Sequence, residues 1–199
     1  MVRVVAIVLF IGLGWLLFFR TAGPGEISAE ARSAARAAGC GDLEQPVEPD
    51  PSRVHLAPGE SFDYPDPPAA AGPHDASPLP PDPHVYPIPI SETRAVHNLE
   101  HAYVVVYYLP RAEGGLAEDV IARLAAVARE ESRVIMAPYP TLSDDQALAL
   151  LAWNTRWLCP ATVSADQAVA IATGFIDAFR GTSIAPEAPR GLLGPLFQN

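Results

Sequence analysis

The sequence predicts an α+β fold: a small, mostly antiparallel sheet packed with two helices, preceded by an N-terminal transmembrane helix and a proline-rich extended arm. Three observations carry the domain. The run Tyr103-Val104-Val105-Val106-Tyr107-Tyr108-Leu109 is β-branched and aromatic and stops at Pro110, which predicts a strand buried on both faces. Leu116, Val120, Ile121, Leu124 and Val127 recur at helical spacing. Ser164 opens a second helix over 165–180, with Asp166 in its first turn and Gly181 just past its end.

The remaining elements are weaker. Arg133 to Ala137 is a short strand stopped by Pro138, and Ser143-Asp144-Asp145 is a turn. Residues 147–158 are apolar, and the alternation of Trp153, Thr155 and Trp157 favours one strand. Residues 26–38, rich in Ala, Glu and Arg, read as a short exposed helix. Residues 46–89 hold fourteen of the 22 prolines, which excludes regular helix or central strand there. His55, Phe62, Tyr64, His74, His84, Tyr86 and Ile88 lie within that stretch, so an ordered arm wrapped on the domain is expected rather than a flexible linker. The expected division is an anchor over 1–22, a juxtamembrane segment over 23–45, the arm over 46–92, an α+β core over 93–182 and an irregular tail over 183–199.

Val4 to Phe19 runs without a charge or a proline between Arg3 and Arg20, and every face of such a helix is apolar. The expectation is a single-pass membrane anchor with the domain on the extracytoplasmic side. A cleaved signal peptide is the competing reading, but Thr21-Ala22-Gly23 followed by Pro24 is a poor cleavage site. Cys40 and Cys159 fit an outside placement, where two distant cysteines most simply pair. The net charge of −10 argues against nucleic acid and against docking on anionic lipid. All thirteen basic residues are arginine, a bias that points to a GC-rich bacterial genome more than to a function.

All five histidines fall between His55 and His101, and the densest piece is Val96-His97-Asn98-Leu99-Glu100-His101, with Glu92 just before it. The elements Pro67-Pro68-Ala69-Ala70-Ala71-Gly72-Pro73-His74, Tyr86, Glu92, the Val96–His101 block entering a Val/Tyr strand, Ala152-Trp153 and Cys159 occur in order. In that order the chain resembles the bacterial domain of unknown function 3105 family over roughly residues 38 to 180. The resemblance implies a short membrane-anchored protein with a proline-rich arm and leaves its activity unstated. Two positions depart from the pattern: Ala102 stands where a glycine is expected, and one extra alanine precedes Gly72. A positive φ at Ala102 would be strained.

His97 to His101 also fits the H-x-x-E-H spacing of inverted zinc peptidases. That chemistry needs a helix, and a strand expected about two residues later leaves little room for one. A non-catalytic site for Zn²⁺ or Cu²⁺ is the preferred chemistry, with His55, His74, His97 and His101 as imidazole donors and Glu92 or Glu100 as carboxylate. The alternative is a structural network that ties the donor-poor arm to the sheet, in an interaction module for another envelope protein. No phosphate loop, dinucleotide fingerprint or nucleophile elbow is present.

Overall fold

The computed structural model describes residues 24–80, 82–143 and 145–189. The expected anchor, Val4 to Phe19, lies outside them. Among the described residues no helix is long and apolar enough to cross a membrane.

The domain is α+β, with four α-helices among the described residues where the sequence predicted two in the core and a third before it. In chain order the elements are α1 (Ala29–Ala38), β1 (His55–Leu56), β2 (His74–Asp75), α2 (Glu92–Glu100), β3 (Val104–Tyr108), α3 (Glu118–Glu130), β4 (Val134–Pro138), β5 (Leu148–Ala152), β6 (Thr155–Cys159) and α4 (Ala165–Phe179). The main sheet has the order β4-β3-β5-β6. It is mixed: β3 pairs with β4 in parallel, because α3 forms a crossover between them, while β3–β5 and β5–β6 are antiparallel.

Residues 147–158 are not one strand. Trp153 and Asn154 turn the chain between Ala152 and Thr155, and β5 and β6 form a hairpin. Asn154 takes a left-handed φ of 53°, which asparagine tolerates and which lets a two-residue turn close.

Both faces of the sheet are covered, which explains the apolar runs of β4 and β5. Val104, Val106, Leu148 and Leu150 face α1, α3 and α4. Val105, Tyr107, Ala149 and Leu151 face α2 and the Ala69–Ala71 segment. α1 begins at Ser28, whose hydroxyl accepts from the Ala31 amide, and ends at Gly39 with φ 77°. It is not simply an exposed helix, since Ala31, Ala35 and Ala38 are buried against α4. Gly174 permits that approach, because a Cβ there would collide with Ala31.

Three features tie the chain before α2 to the sheet. Cys40 and Cys159 are bonded, with Cα atoms 4.1 Å apart, and join the end of α1 to the end of β6. Arg156 on β6 is 5% exposed; it donates to Glu44 at 2.7 Å and also engages Asp66. Farther along, His84 to Tyr86 run beside β4, where the Met136 amide donates to the His84 carbonyl and the Tyr86 amide to the Met136 carbonyl, each at 2.8 Å. These bonds give backbone that carries many prolines hydrogen-bonding partners on the sheet.

Candidate metal centre

The block from Val96 is helical through Glu100, which corrects the expectation that the strand following it leaves little room for a helix. α2 starts at Ser91, whose hydroxyl accepts from the Arg94 amide at 3.4 Å, and Glu92 lies in its first turn. The chain then needs only three residues to reach β3, because Ala102 adopts φ 62°. An alanine there carries the strain that a glycine would avoid.

Residues 95–100 are all buried, so α2 is covered on every side. The sheet covers one face and residues 69–79 cover the other. Asn98 fixes the outer layer: its Oδ1 accepts from the Leu79 amide and its Nδ2 donates to the Leu79 carbonyl. Arg94 adds bonds to the Ser77 and Pro78 carbonyls.

This docking delivers the histidines. The β1–β2 ladder sets His55 opposite His74, and α2 presents His97 to both. His55 stacks on His97 at 5.2 Å between ring centroids, and His97 stacks on His101 at 4.8 Å. His74 meets His55 and His97 edge-on and packs against the edge of Trp153. One donor atom each from His55, His74 and His97 lie within 4.8 Å of one another. His74 is fully buried and His97 is 5% exposed, whereas His55 is exposed.

Two of the rings are oriented by the backbone. His74 Nδ1 donates to the Gly72 carbonyl at 2.8 Å, and His97 Nδ1 donates to the Asp75 carbonyl at 2.6 Å. A carbonyl can only accept, so each Nδ1 carries a hydrogen and each Nε2 is turned inward. His74 Nε2 lies 3.0 Å from Glu100 Oε2, and His97 Nε2 lies 2.8 Å from His101 Nε2. Gly72 has φ 118° and a Cβ there would press on Tyr64 at 3.2 Å, so this turn requires glycine.

Glu100 is 1% exposed. Burial opposes its charge, but Arg53 and His74 outweigh that and hold its carboxyl below the ordinary 4.5. Its oxygens are taken up by Arg53 and His74, an arrangement unlike a peptidase glutamate poised over a metal-bound water. Burial, reinforced by the charges of His101, His74 and His55, holds His97 below its ordinary 6.5 against the partial opposition of the Asp75 carbonyl.

A lowered folded value means that protons bind the unfolded chain better. The His97 contribution to stability is therefore present above 6.5 and lost as pH falls below it. The unfolding temperature is expected to drop as pH falls below 6.5, and His97→Gln is expected to flatten that slope. Differential scanning calorimetry across the range checks this, and an unchanged slope in the variant refutes it.

The predicted donors do not all meet. His55, His74, His97, His101 and Glu100 form one cluster. Glu92 is not among them, because it sits at the opposite end of α2. There it accepts from the Ala69 amide at 2.7 Å and from Tyr139 Oη at 3.0 Å. The helix rise sets it about 7.5 Å along the axis from His97 and about 12 Å from Glu100. His84 lies apart, beside Asp82.

The structure adds Arg53, Glu187 and Trp153 to the site. Arg53 precedes His55 by two residues, so an extended reading of that segment could have placed both on one side. Nothing local marks Glu187, which reaches the site from beyond α4.

No curated protein and no solved structure matches the chain. A family model described as "Protein of unknown function (DUF3105)" matches residues 55–191, which span the whole histidine cluster and all four strands of the main sheet. That match covers more than half of the chain, and the chain belongs to the DUF3105 family.

Proposed function

We propose that this domain binds Zn²⁺ or Cu²⁺ through His55, His74 and His97, with His101 as the fourth imidazole. The observation that carries the reading is the convergence of three imidazole donors within 4.8 Å, two of them with Nδ1 fixed by a backbone carbonyl. A carbonyl bond on one ring nitrogen that turns the other inward is how metal-ligating histidines are usually oriented. Imidazole suits both ions, and the two cysteines are committed to each other. Two donors on a tetrahedral ion stand about 3.4 Å apart, given bonds of about 2.0–2.1 Å. The widest of the three separations must therefore contract by about 1.4 Å, and exposed His55 is the ligand with room to turn.

A structural network is the second reading. It is favoured by His74, whose two nitrogens already have protein partners, Gly72 and Glu100. Titration calorimetry and elemental analysis separate the two. Metal binding predicts a stoichiometry near one and an affinity at least about 100-fold weaker in His97→Ala, where both a ligand and the His101 contact are lost. A network predicts that the variant is less stable and that neither protein takes up Zn²⁺ or Cu²⁺ at micromolar concentrations.

The proposed setting is the extracytoplasmic face of a membrane, with Val4 to Phe19 as a single-pass anchor and the domain open to an envelope partner. The Cys40–Cys159 bond supports it, because such bonds persist in oxidising compartments. Protease added outside intact cells should then cleave beyond Arg20.

A further inference from the structure

Glu187 lies in the segment after α4 and is anchored at the site by its own amide, which donates to the Glu100 carbonyl at 3.0 Å. Its two carboxylate oxygens face different partners. Oε1 accepts from Arg53 Nη2 at 3.3 Å, and Oε2 lies 3.6 Å from His101 Nε2. Arg53 also donates through Nε to Glu100 Oε1 at 2.5 Å. A single guanidinium thus spans one buried carboxylate and one half-exposed one, two residues before the exposed ligand His55.

We propose that Glu187 is an oxygen ligand of the metal and that Arg53 competes with the metal for it. The proposal rests on the histidine site described above. Two cis ligands on one ion stand about 2.9–3.4 Å apart at bond lengths of about 2.0–2.1 Å. The Glu187–His101 pair, at 3.6 Å, needs only a small shift to meet that spacing. The competition follows from charge and placement. A divalent ion held by His97 and His101 lies beside the Glu187 oxygen that faces them, and like-charged Arg53 draws on the other oxygen. The Arg53–Glu187 pair is also the exposed one, at 49% and 45%, and is therefore the weaker of the two guanidinium contacts. Metal binding breaks it, while the bond from Arg53 to buried Glu100 stays. Turning His55 inward pulls on the same short segment and assists the release.

The two residues should then act with opposite sign, which a clamp of purely structural value cannot produce. In chelator competition on the 199-residue chain, Glu187→Gln is expected to weaken Zn²⁺ and Cu²⁺ binding about tenfold. Arg53→Gln is expected to tighten binding by about fivefold or more. Arg53→Lys keeps the charge but cannot fork between two carboxylates, and should fall between wild type and Arg53→Gln. It also serves if Arg53→Gln does not fold. The Cu²⁺ electron paramagnetic resonance spectrum should lose an oxygen-donor contribution in Glu187→Gln and keep it in both Arg53 variants. Unchanged affinity and spectrum in Glu187→Gln overturn the ligand assignment. Weaker binding in both Arg53 variants overturns the competition and makes Arg53 a positioning residue. A wild-type chain that binds neither ion overturns the histidine site itself, and this proposal with it.

Discussion

Reducing the Cys40–Cys159 bond is expected to lower the free energy of unfolding by about 4–5 kcal/mol, the loop-closure entropy for a separation of 119 residues. That is a large share of the about 5–15 kcal/mol available to a domain of this kind. The bond closes a loop containing both faces of the core, so its loss releases the whole arm-bearing segment in the unfolded chain. In the folded protein it fastens α1 to β6 behind the sheet, on the side away from the histidines. Urea unfolding with and without reductant measures the effect, with Cys40→Ala/Cys159→Ala as the genetic equivalent. The slope with denaturant should rise on reduction, because the uncrosslinked chain exposes more surface. A midpoint shift worth less than about 1 kcal/mol would show that the folded arrangement alone holds these ends together. Metal affinity is expected to survive in whatever fraction stays folded.

Strands and helices with one strong local signal were legible in the sequence. β3 is a β-branched and aromatic run stopped by proline, and α4 has a capping box between Ser164 and Gln167. α2 was not legible as a helix. His97, Asn98 and Glu100 are polar, so the segment shows no apolar stripe, yet all three are buried. Their burial depends on partners far away in sequence, namely Asp75, Leu79, Arg53 and His74. The β5–β6 hairpin was hidden for the opposite reason. β5 is apolar throughout and Trp153 at the turn continues its pattern, while Asn154 is followed by Thr155 and the buried Arg156, whose partners Glu44 and Asp66 are far away in sequence.

The same reasoning separates the site residues that could be read from those that could not. The clustering of histidines in one quarter of the chain was visible, as was the link from the Gly72–His74 turn to the block at 96–101. Glu92 lies outside the cluster because it is turned to other partners at the start of the helix, the Ala69 amide and Tyr139 Oη. Glu187 was missed because its position is set by the packing of α4 and the turn at Gly181, whose amide donates to the Ala102 carbonyl.

Glu100→Ala is expected to cost about 3–5 kcal/mol, the range for removing one partner of a buried charged pair. Arg53 is half exposed and can return to water at little cost. His74 cannot, since its ring is fully buried and Nε2 would lose its Glu100 partner. The Glu100→Gln variant keeps the shape and one hydrogen-bonding group toward His74, so a smaller loss of about 1–2 kcal/mol is expected. The wild-type carboxyl is held below 4.5, so its contribution is fully present above that pH and is lost as pH falls through the lowered value. That window lies below the one assigned to His97, and the two transitions should be separable. Denaturant unfolding of wild type, Glu100→Ala, His74→Phe and the double variant at neutral pH measures the coupling. A large part of the Glu100→Ala loss should vanish when His74 is already phenylalanine, because no orphaned nitrogen is then created. If the two losses add independently, the His74–Glu100 bond is not what Glu100 contributes to stability.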